Sequence, residues 1–183
     1  MSKQPKSGVQ TILPICIAGP TAVGKSATAI QLAQELDGEI VSFDSMQVYK
    51  EIHIGTAKPY PAELDLVPHH LISVIPLTQP FSVSDFILLA REKILDIQKR
   101  GKAPILCGGT GLYFRAYFEG LGEAPPSDPQ LRANLEQTPL EQLLKELEQV
   151  DPATYHRIDR QNPRRVIRAI EVCRLTGKPF SQQ

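Results

Sequence analysis

The feature that most constrains how this chain can fold is a short glycine-containing segment near its N-terminus. It fits the pattern G-x-x-x-x-G-K-[ST] and consists of Gly19, Pro20, Thr21, Ala22, Val23, Gly24, Lys25 and Ser26. An apolar run at residues 12–18 precedes it and predicts a buried strand, and apolar residues with helical spacing follow from Lys25. A strand, a glycine-rich turn and a helix in this order predict a P-loop.

The chemistry that such a loop supports is phosphate binding. Glycine at positions 19 and 24 allows backbone geometry that a Cβ would block, so that successive N–H groups form an anion-binding nest at the positive end of a helix dipole. Lys25 adds a full positive charge, and Ser26 is a candidate ligand of Mg²⁺. The motif by itself predicts a bound diphosphate or triphosphate, and it leaves open whether the ligand is a nucleotide and whether it is hydrolysed.

Strand and helix patterns alternate through the first 121 residues. Apolar runs predict strands at residues 39–43, 69–75 and 103–107, and helices are predicted from Lys25, from Val83 and from about residue 112. This alternation predicts an α/β fold of the P-loop type, a parallel sheet flanked by helices. Since only about four strands are visible, we expect the sheet to be incomplete and the chain to be the N-terminal portion of a longer protein.

The pattern changes near residue 122. A proline-rich stretch, GEAPPSDP, is followed only by helical patterns, so we expect an α/β core at residues 1–121 and an all-helical part at residues 122–183. Residues 1–150 hold 13 Lys and Arg against 17 Asp and Glu, whereas residues 151–183 hold 7 against 3. A basic C-terminal stretch indicates either a polyanionic partner or a solvated helix face.

Several classes of protein are excluded by composition. Cys16, Cys107 and Cys173 are too far apart in sequence to indicate a disulfide scaffold or a zinc module. No apolar run approaches the roughly 20 residues of a membrane span, and the first ten residues lack the apolar segment of a secretory signal. We expect a cytoplasmic protein without a membrane partner. His69 and His70, adjacent on a predicted strand, should face opposite sides, which favours capping or core roles over a joint metal site.

Two further loops should reach the same sheet edge as the P-loop, because the carboxyl ends of parallel strands gather there. Asp44 follows the second predicted strand, and Gly108, Gly109, Thr110 and Gly111 follow the last one. Asp44 is a candidate general base or metal-side ligand, or else the aspartate of an N-cap or Asx-turn. The glycines either allow close approach to a ligand or form a tight turn.

Six segments together resemble the tRNA dimethylallyltransferases, also called tRNA isopentenyltransferases. They are GPTAVGKS (19–26), SFDSMQVYKEIHIGTAKP (42–59), VPHHLI (67–72), FSVSDF (81–86), RGKAPILCGGTGLY (100–113) and RRVIRAIEV (164–172). The likeness is collinear from about residue 13 to the end of the chain, and DSMQVY…IGTAKP and GGTGLY are more specific than the P-loop. Ser73 departs from the family pattern, which often has Asp there.

The resemblance implies transfer of a dimethylallyl group from dimethylallyl diphosphate to N6 of an adenosine next to the anticodon of tRNA. The P-loop would hold the departing diphosphate, with Lys25 and a Mg²⁺ at Ser26 stabilising its charge. Asp44 matches the proposed base of the family, and Thr21 matches a loop position beside the two substrates. The implied partners are a tRNA anticodon stem-loop and dimethylallyl diphosphate, bound by a monomer.

The resemblance also implies a set of tRNA-contacting positions. Within it, Arg164, Arg165 and Arg168 have the spacing that places them on one helix face, where they could contact phosphates. The full set is Asp44, Ser45, Met46, Gln47, Thr110, Arg132, Arg164, Arg165, Val166, Ile167 and Arg168.

Three alternatives remain open. A P-loop small-molecule kinase would use the same loop to transfer the γ-phosphoryl group of ATP. A chain of this length could also bind tRNA without catalysis, since family members continue well beyond it. A prenyltransferase acting on free adenine nucleotides is the third alternative, and the basic helical part argues against it.

Overall fold

The computed structural model describes residues 12–122 and 124–183. They form two compact units with a boundary between Gly120 and Leu121. The assignment of separate functions to residues 1–121 and 122–183 stays a prediction, and the expected loose arm at residues 1–10 lies outside the described residues.

The first unit alternates strands and helices, as its periodicity predicts. Its elements are β1 (Ile15–Ala18), α1 (Lys25–Glu35), β2 (Gly38–Ser42), α2 (Pro61–Leu64), β3 (His69–His70), α3 (Val83–Lys99), β4 (Ala103–Gly108) and α4 (Gly111–Glu119). The short helix α2 lies in a proline-rich stretch from which no helix was predicted.

The strands form a four-stranded sheet in the order β1-β4-β2-β3, and every pairing is parallel. The predicted α/β fold of the P-loop type is therefore confirmed. The central position of β4 places its carboxyl end between those of β1 and β2, so the loops after these three strands lie side by side.

The third strand is much shorter than the seven residues predicted at 69–75. Leu71 and Ser73 have φ angles of 62° and 53°, in the left-handed region that a strand cannot accommodate. The chain resumes sheet-like contact only at Ile75, which forms an isolated parallel bridge with Tyr49. The apolar pattern correctly predicts burial, because Leu71 and Ile75 are buried, but these residues belong to an irregular segment and not to a strand.

Helix α3 covers one face of the sheet and begins where its sequence predicts. Ser82 Oγ accepts from the Asp85 backbone N–H at 3.2 Å, and the Asp85 carboxylate accepts from the Ser82 N–H at 2.8 Å. Phe86, on its first turn, stacks on Tyr113 with ring centroids 3.6 Å apart and meets Phe43 edge-on at 5.0 Å. This aromatic cluster fixes the end of β2 against α3 and α4.

A buried carboxylate ties the start of β2 to the end of α3. Glu39 is 3% exposed and accepts hydrogen bonds from both terminal nitrogens of Arg100, one at 2.8 Å, and from His70 Nε2 at 2.7 Å. The bonds from Arg100 lower the pKa of Glu39 to about 2, against the opposing effect of burial, and His70 contributes further.

The second unit is helical throughout its described residues. Its elements are α5 (Pro129–Glu136), α6 (Leu140–Val150), α7 (Pro152–Arg157), α8 (Pro163–Thr176) and a 3₁₀ turn (Phe180–Gln182). Asp128, Asp151 and Asn162 cap the helices that follow them through their side-chain oxygens. Leu143 and Leu147 of α6 pack on α8 in a leucine-rich core.

Among the described residues, none of the helices combines the length and the apolar character needed to cross a membrane.

Candidate functional site

The P-loop turns sharply between β1 and α1. Ala22 and Gly24 have φ angles of 67° and 89°, and the second of these is the left-handed geometry for which the motif requires glycine. Helix α1 begins directly after Gly24, which has no side chain to cap it, so the first-turn N–H groups are available to an anion. Lys25 Nζ donates to the Pro20 carbonyl and so lies across the loop.

Asp44 lies in a turn that is fixed at several points to the end of β4. Its Oδ1 accepts from the Met46 N–H at 2.9 Å, so the Asx-turn weighed as an alternative to a general base does form. Thr110 Oγ1 accepts from the Ser45 N–H at 2.9 Å, and the Thr110 N–H donates to the Phe43 carbonyl at 3.2 Å. The carboxylate therefore has a defined position at the sheet edge, and this geometry is compatible with a base.

The glycine at position 108 serves a close approach within the protein. A Cβ there would lie 2.1 Å from the carbonyl oxygen of Phe43, far inside contact distance. Gly108 therefore lets the end of β4 pack against the residue that precedes Asp44. Gly108 also belongs to the lining of the cavity beside the P-loop, so both sequence interpretations of these glycines stay predictions.

A cavity of about 450 Å³ opens between the P-loop and the Asp44 turn. It brings together eight of the predicted site residues, and these are Thr21, Ala22, Gly24, Lys25, Ser26, Asp44, Met46 and Gln47. Ser45 and Thr110 do not line it, but they hydrogen-bond to each other beside Asp44. Gly19, Pro20 and Val23 complete the loop outside the lining.

The cavity lining combines polar and apolar side chains. Lys25, Ser26 and Asp44 line it at the sheet edge, which we call its mouth, and Glu63 and His69 are also among its polar lining residues. Ala29 lies one helical turn further along α1, and Ile40 lies two residues before the end of β2, so these two apolar residues lie away from the mouth. Ala57, Pro59 and Ile72 complete this apolar lining.

Other lining residues were not predicted, and the sheet register explains their presence. Ile40 pairs with His69, and Ser42 pairs with Cys107, so all four side chains share one face of the sheet. The predicted opposite orientation of the two adjacent histidines is confirmed, since His70 binds Glu39 instead. Burial lowers the pKa of His69 and raises that of Cys107.

The wall opposite the sheet comes from the segment between β2 and β3. Gly55, Thr56, Ala57, Pro59 and Glu63 all line the cavity. The IGTAKP sequence was part of the family resemblance, but none of its residues was named for the site, because nothing in the local pattern indicates that this loop folds back over β2.

In the helical unit, Glu171 is fully buried and holds two of the arginines predicted to contact tRNA. Arg168 Nη1 donates to Glu171 at 2.7 Å, and Arg132 lies 3.9 Å from the same carboxylate oxygen. The other Glu171 oxygen accepts from Ser127 Oγ and from the Asp128 N–H at 3.1 Å. Burial raises the pKa of Glu171, but the bonds from Ser127 and Arg168 outweigh it and the pKa is lowered.

The remaining predicted contacts on α8 differ in exposure. Arg164 and Arg165 are exposed in the first turn, whereas Val166 and Ile167 are buried in the leucine-rich core. The side chains of these two apolar residues support the helix that carries the arginines. Their assignment to tRNA contact stays a prediction, as does that of the arginines.

Within residues 12–122 and 124–183, no cluster of three or more His, Cys, Asp or Glu could hold a metal ion by itself. The donor groups of the cavity mouth are the Ser26 hydroxyl and the Asp44 carboxylate. Oxygen donors of this kind fit Mg²⁺ where a phosphate ligand supplies the remaining oxygens.

A P-loop at the end of β1, with an acidic turn at the end of β2 on the same edge of the parallel sheet, defines a P-loop phosphate-binding protein. Comparison with known families is more specific. The chain belongs to the IPP transferase family, whose model matches residues 47–183.

Curated relatives carry the name tRNA dimethylallyltransferase. That of Citrifermentans bemidjiense, tRNA dimethylallyltransferase 1, is 49% identical over 91% of this chain and 55% of its own length. That of Stenotrophomonas maltophilia is 49% identical over 94% of this chain and 56% of its own length. The chain therefore spans about half the length of the curated relatives it matches.

Solved structures give the same family. A full-length tRNA isopentenylpyrophosphate transferase from Bacillus halodurans is 43% identical, with a TM-score of 0.60 over 93% of this chain and 57% of the other. A eukaryotic dimethylallyltransferase acting on tRNA is 35% identical, with a TM-score of 0.79 over 92% of this chain and 43% of the other.

Proposed function

We propose that this chain carries the prenyl-diphosphate site of an enzyme that transfers a dimethylallyl group to N6 of an adenosine beside the anticodon of tRNA. The observation that carries the proposal is that one cavity combines an anion-binding P-loop with apolar lining residues at Ala29, Ile40, Pro59 and Ile72. A short prenyl diphosphate has the two matching parts, a charged head and a hydrocarbon tail. The adenosine of ATP has no comparable tail for Ala29, Ile40 and Pro59 to bury.

The P-loop has the groups that the departing diphosphate needs. As the bond from C1 of the allyl group breaks, negative charge grows on the diphosphate, and amides and cations already in place stabilise that charge. The first-turn amides of α1 and the Lys25 ammonium supply this stabilisation once Lys25 turns from the Pro20 carbonyl to the ligand. A Mg²⁺ held by Ser26 would add positive charge to the same oxygens.

Asp44 has the chemistry required of a general base. The exocyclic amine of adenine is a weak nucleophile because its lone pair is delocalised into the ring, so removal of its proton assists attack on C1. The Asx-turn with Met46 holds the carboxylate at the cavity mouth, beside the loop that binds the diphosphate. The acceptor amine and the leaving group would then meet at one opening.

The helical unit is the proposed source of phosphate contacts to RNA. Arg164 and Arg165 are exposed on the first turn of α8, and Arg157 and Arg160 are exposed just before it. Such contacts position an RNA without reading its sequence, while an extruded base enters the catalytic pocket. The anticodon stem-loop as the target, a monomeric state and a cytoplasmic location are parts of this proposal.

Transfer of a labelled dimethylallyl group to a tRNA anticodon stem-loop tests the proposal. Asp44→Asn keeps an acceptor for the Met46 N–H and removes only the basic oxygen, so the rate should fall about 10²–10⁴-fold with folding preserved. The matched control is Asp65→Asn, at an exposed position outside the cavity lining. A wild-type rate in the Asp44 variant would contradict the assignment of the base.

The same assay separates the alternatives. ATP turnover that is indifferent to dimethylallyl diphosphate would support the kinase. Salt-dependent tRNA binding without transfer would support a binding role alone. Transfer to free adenine nucleotides but not to tRNA would support the third alternative.

A further inference from the structure

The hydroxyl of Thr110 does not cap the helix that Thr110 begins. Thr110 is the N-cap residue of α4, with φ −85° and ψ 90°, and a threonine at this position usually accepts a hydrogen bond from a first-turn N–H. Among the described residues of α4, none donates to this side chain. A helix without its cap bond loses stability, and natural proteins break local rules of this kind at functional sites.

The hydroxyl binds the Asp44 turn instead. Thr110 Oγ1 accepts from the Ser45 N–H at 2.9 Å and donates to Ser45 Oγ at 3.3 Å. The backbone N–H of Thr110 donates to the Phe43 carbonyl at 3.2 Å. One residue therefore binds both chain neighbours of Asp44, although 65 positions separate Thr110 from Ser45 in the sequence.

These bonds act on the Asp44 carboxylate through the backbone of the turn. Asp44 Oδ1 accepts from the Met46 N–H at 2.9 Å, so the position of the carboxylate follows that of the turn, and Thr110 fixes the turn. A hydroxyl has one donor and two acceptor sites, of which Ser45 occupies the donor and one acceptor. One lone pair is left for an RNA donor, so the predicted tRNA contact and the role in the turn use different sites of the same hydroxyl.

We propose that Thr110 is a positioning residue that holds Asp44 in place for removal of the proton from the acceptor amine. The inference rests on the proposed function, because it takes Asp44 as the base. A base must lie within hydrogen-bond reach of the proton that it removes, and a misplacement of about 1 Å can cost about 10²-fold in rate. Thr110 need not touch the reacting atoms, because its effect passes through the turn.

The first test uses NMR of the full chain without RNA. Thr110→Val keeps the branched shape and removes the hydroxyl, whereas Thr110→Ser keeps the hydroxyl. In the valine variant, hydrogen exchange of the Ser45 amide should be roughly tenfold faster or more, and the carboxyl-carbon resonance of Asp44 should move. The serine variant should resemble wild type in both readouts. Amides in the middle of α3 should keep their protection, which separates release of the turn from unfolding.

Two further variants complete this test. Thr138→Val is the matched control, because it removes a threonine hydroxyl that donates to the Asn134 carbonyl in the helical unit, and it should change neither readout. Thr110→Ala removes the same hydroxyl with a smaller side chain and replaces the valine variant if that variant does not fold. Unchanged Ser45 exchange and an unchanged Asp44 resonance in a folded variant without the hydroxyl would overturn the inference.

The second test measures transfer of a dimethylallyl group to a tRNA anticodon stem-loop. Thr110→Val should lower kcat roughly 10–100-fold and leave the KM for RNA unchanged, whereas loss of an RNA contact alone would raise KM. In an Asp44→Asn background the same substitution should have no further effect, because Thr110 acts through Asp44. An additive loss, or a raised KM with an unchanged kcat, would overturn the inference.

The two tests distinguish failure of this inference from failure of the proposed function. Absence of transfer by the wild-type chain would count against the proposed function alone, because the NMR measurements need neither RNA nor turnover.

Discussion

Each unit of the molecule contains a buried carboxylate held by arginine, and the two differ in what that arginine does. In the α/β unit, Glu39 binds Arg100 at the start of β2, at the opposite end of the strand from Asp44. In the helical unit, Glu171 binds Arg168, a residue of the proposed RNA-binding helix. In the first unit, the Glu39–Arg100 pair lies apart from the proposed site residues, whereas in the second unit a proposed RNA-contacting arginine, Arg168, also binds the buried carboxylate.

This difference predicts which substitutions should change only function and which should change both function and stability. In the α/β unit, removal of a site residue should change chemistry and leave stability unchanged. In the helical unit, a change at the buried carboxylate should alter stability and RNA affinity together.

The largest expected effect tests the separation in the α/β unit. Lys25→Met should lower the transfer rate by about 10²–10³-fold, because a preorganised cation facing the leaving diphosphate is lost. The free energy of unfolding, measured with urea, should stay the same, since Lys25 bonds to an exposed carbonyl of its own loop. Lys145→Met, on an exposed face of α6, is the control. A destabilisation as large as the loss of activity would show that the separation does not hold.

The next effect tests the coupling in the helical unit. Glu171→Gln should lower the free energy of unfolding by about 1–3 kcal/mol, because a fully buried acceptor loses its charge and part of its hydrogen bonding. Affinity for an anticodon stem-loop should fall as well, since Arg168 and Arg132 lose the carboxylate charge that holds their side chains in position.

The counterpart in the α/β unit is Glu39→Gln, which should destabilise the fold without weakening RNA binding. The two variants are compared by urea unfolding and by RNA titration at a temperature where both are folded. Equal RNA affinity in both would contradict the coupling.

The smallest effect concerns pH. Folding lowers the pKa of Glu39 from 4.5 to about 2, so its contribution to stability is complete above pH 4.5 and is lost as the pH falls towards 2. At pH 3.5 the loss from this one group should be on the order of 1 kcal/mol. Urea unfolding of wild type and Glu39→Gln between pH 6 and pH 3 isolates it, because the difference between them should shrink on acidification. A constant difference would show that Glu39 is not held as an anion by Arg100.

The sequence was sufficient to predict the elements whose information is local. The P-loop, α1 and α3 are specified by glycines, a capping box and helical spacing within a single turn or two. Asp44 could be placed near the P-loop because parallel strands end at one edge, whatever their order.

The parts that could not be predicted depend on contacts between distant segments. The apolar pattern of residues 69–75 has two explanations, and only the left-handed Leu71 and Ser73 distinguish a strand from an irregular segment. The sheet register determines that Cys107 and His69 line the cavity. Thr56 and Ala57 line it from a loop whose carbonyls accept hydrogen bonds from Gln47 Nε2. Val166 and Ile167 share a motif with arginines, but their burial depends on where α6 packs.

The close approach of Gly108 to Phe43 limits what mutagenesis can explore at this edge of the sheet. A saturation library at position 108 should return glycine alone, because even the smallest added methyl group would overlap the Phe43 carbonyl oxygen. Alanine tolerated there would mean that the two strand ends can separate. The range of residues tolerated at position 108 therefore measures how rigidly the turn that carries Asp44 is held against β4.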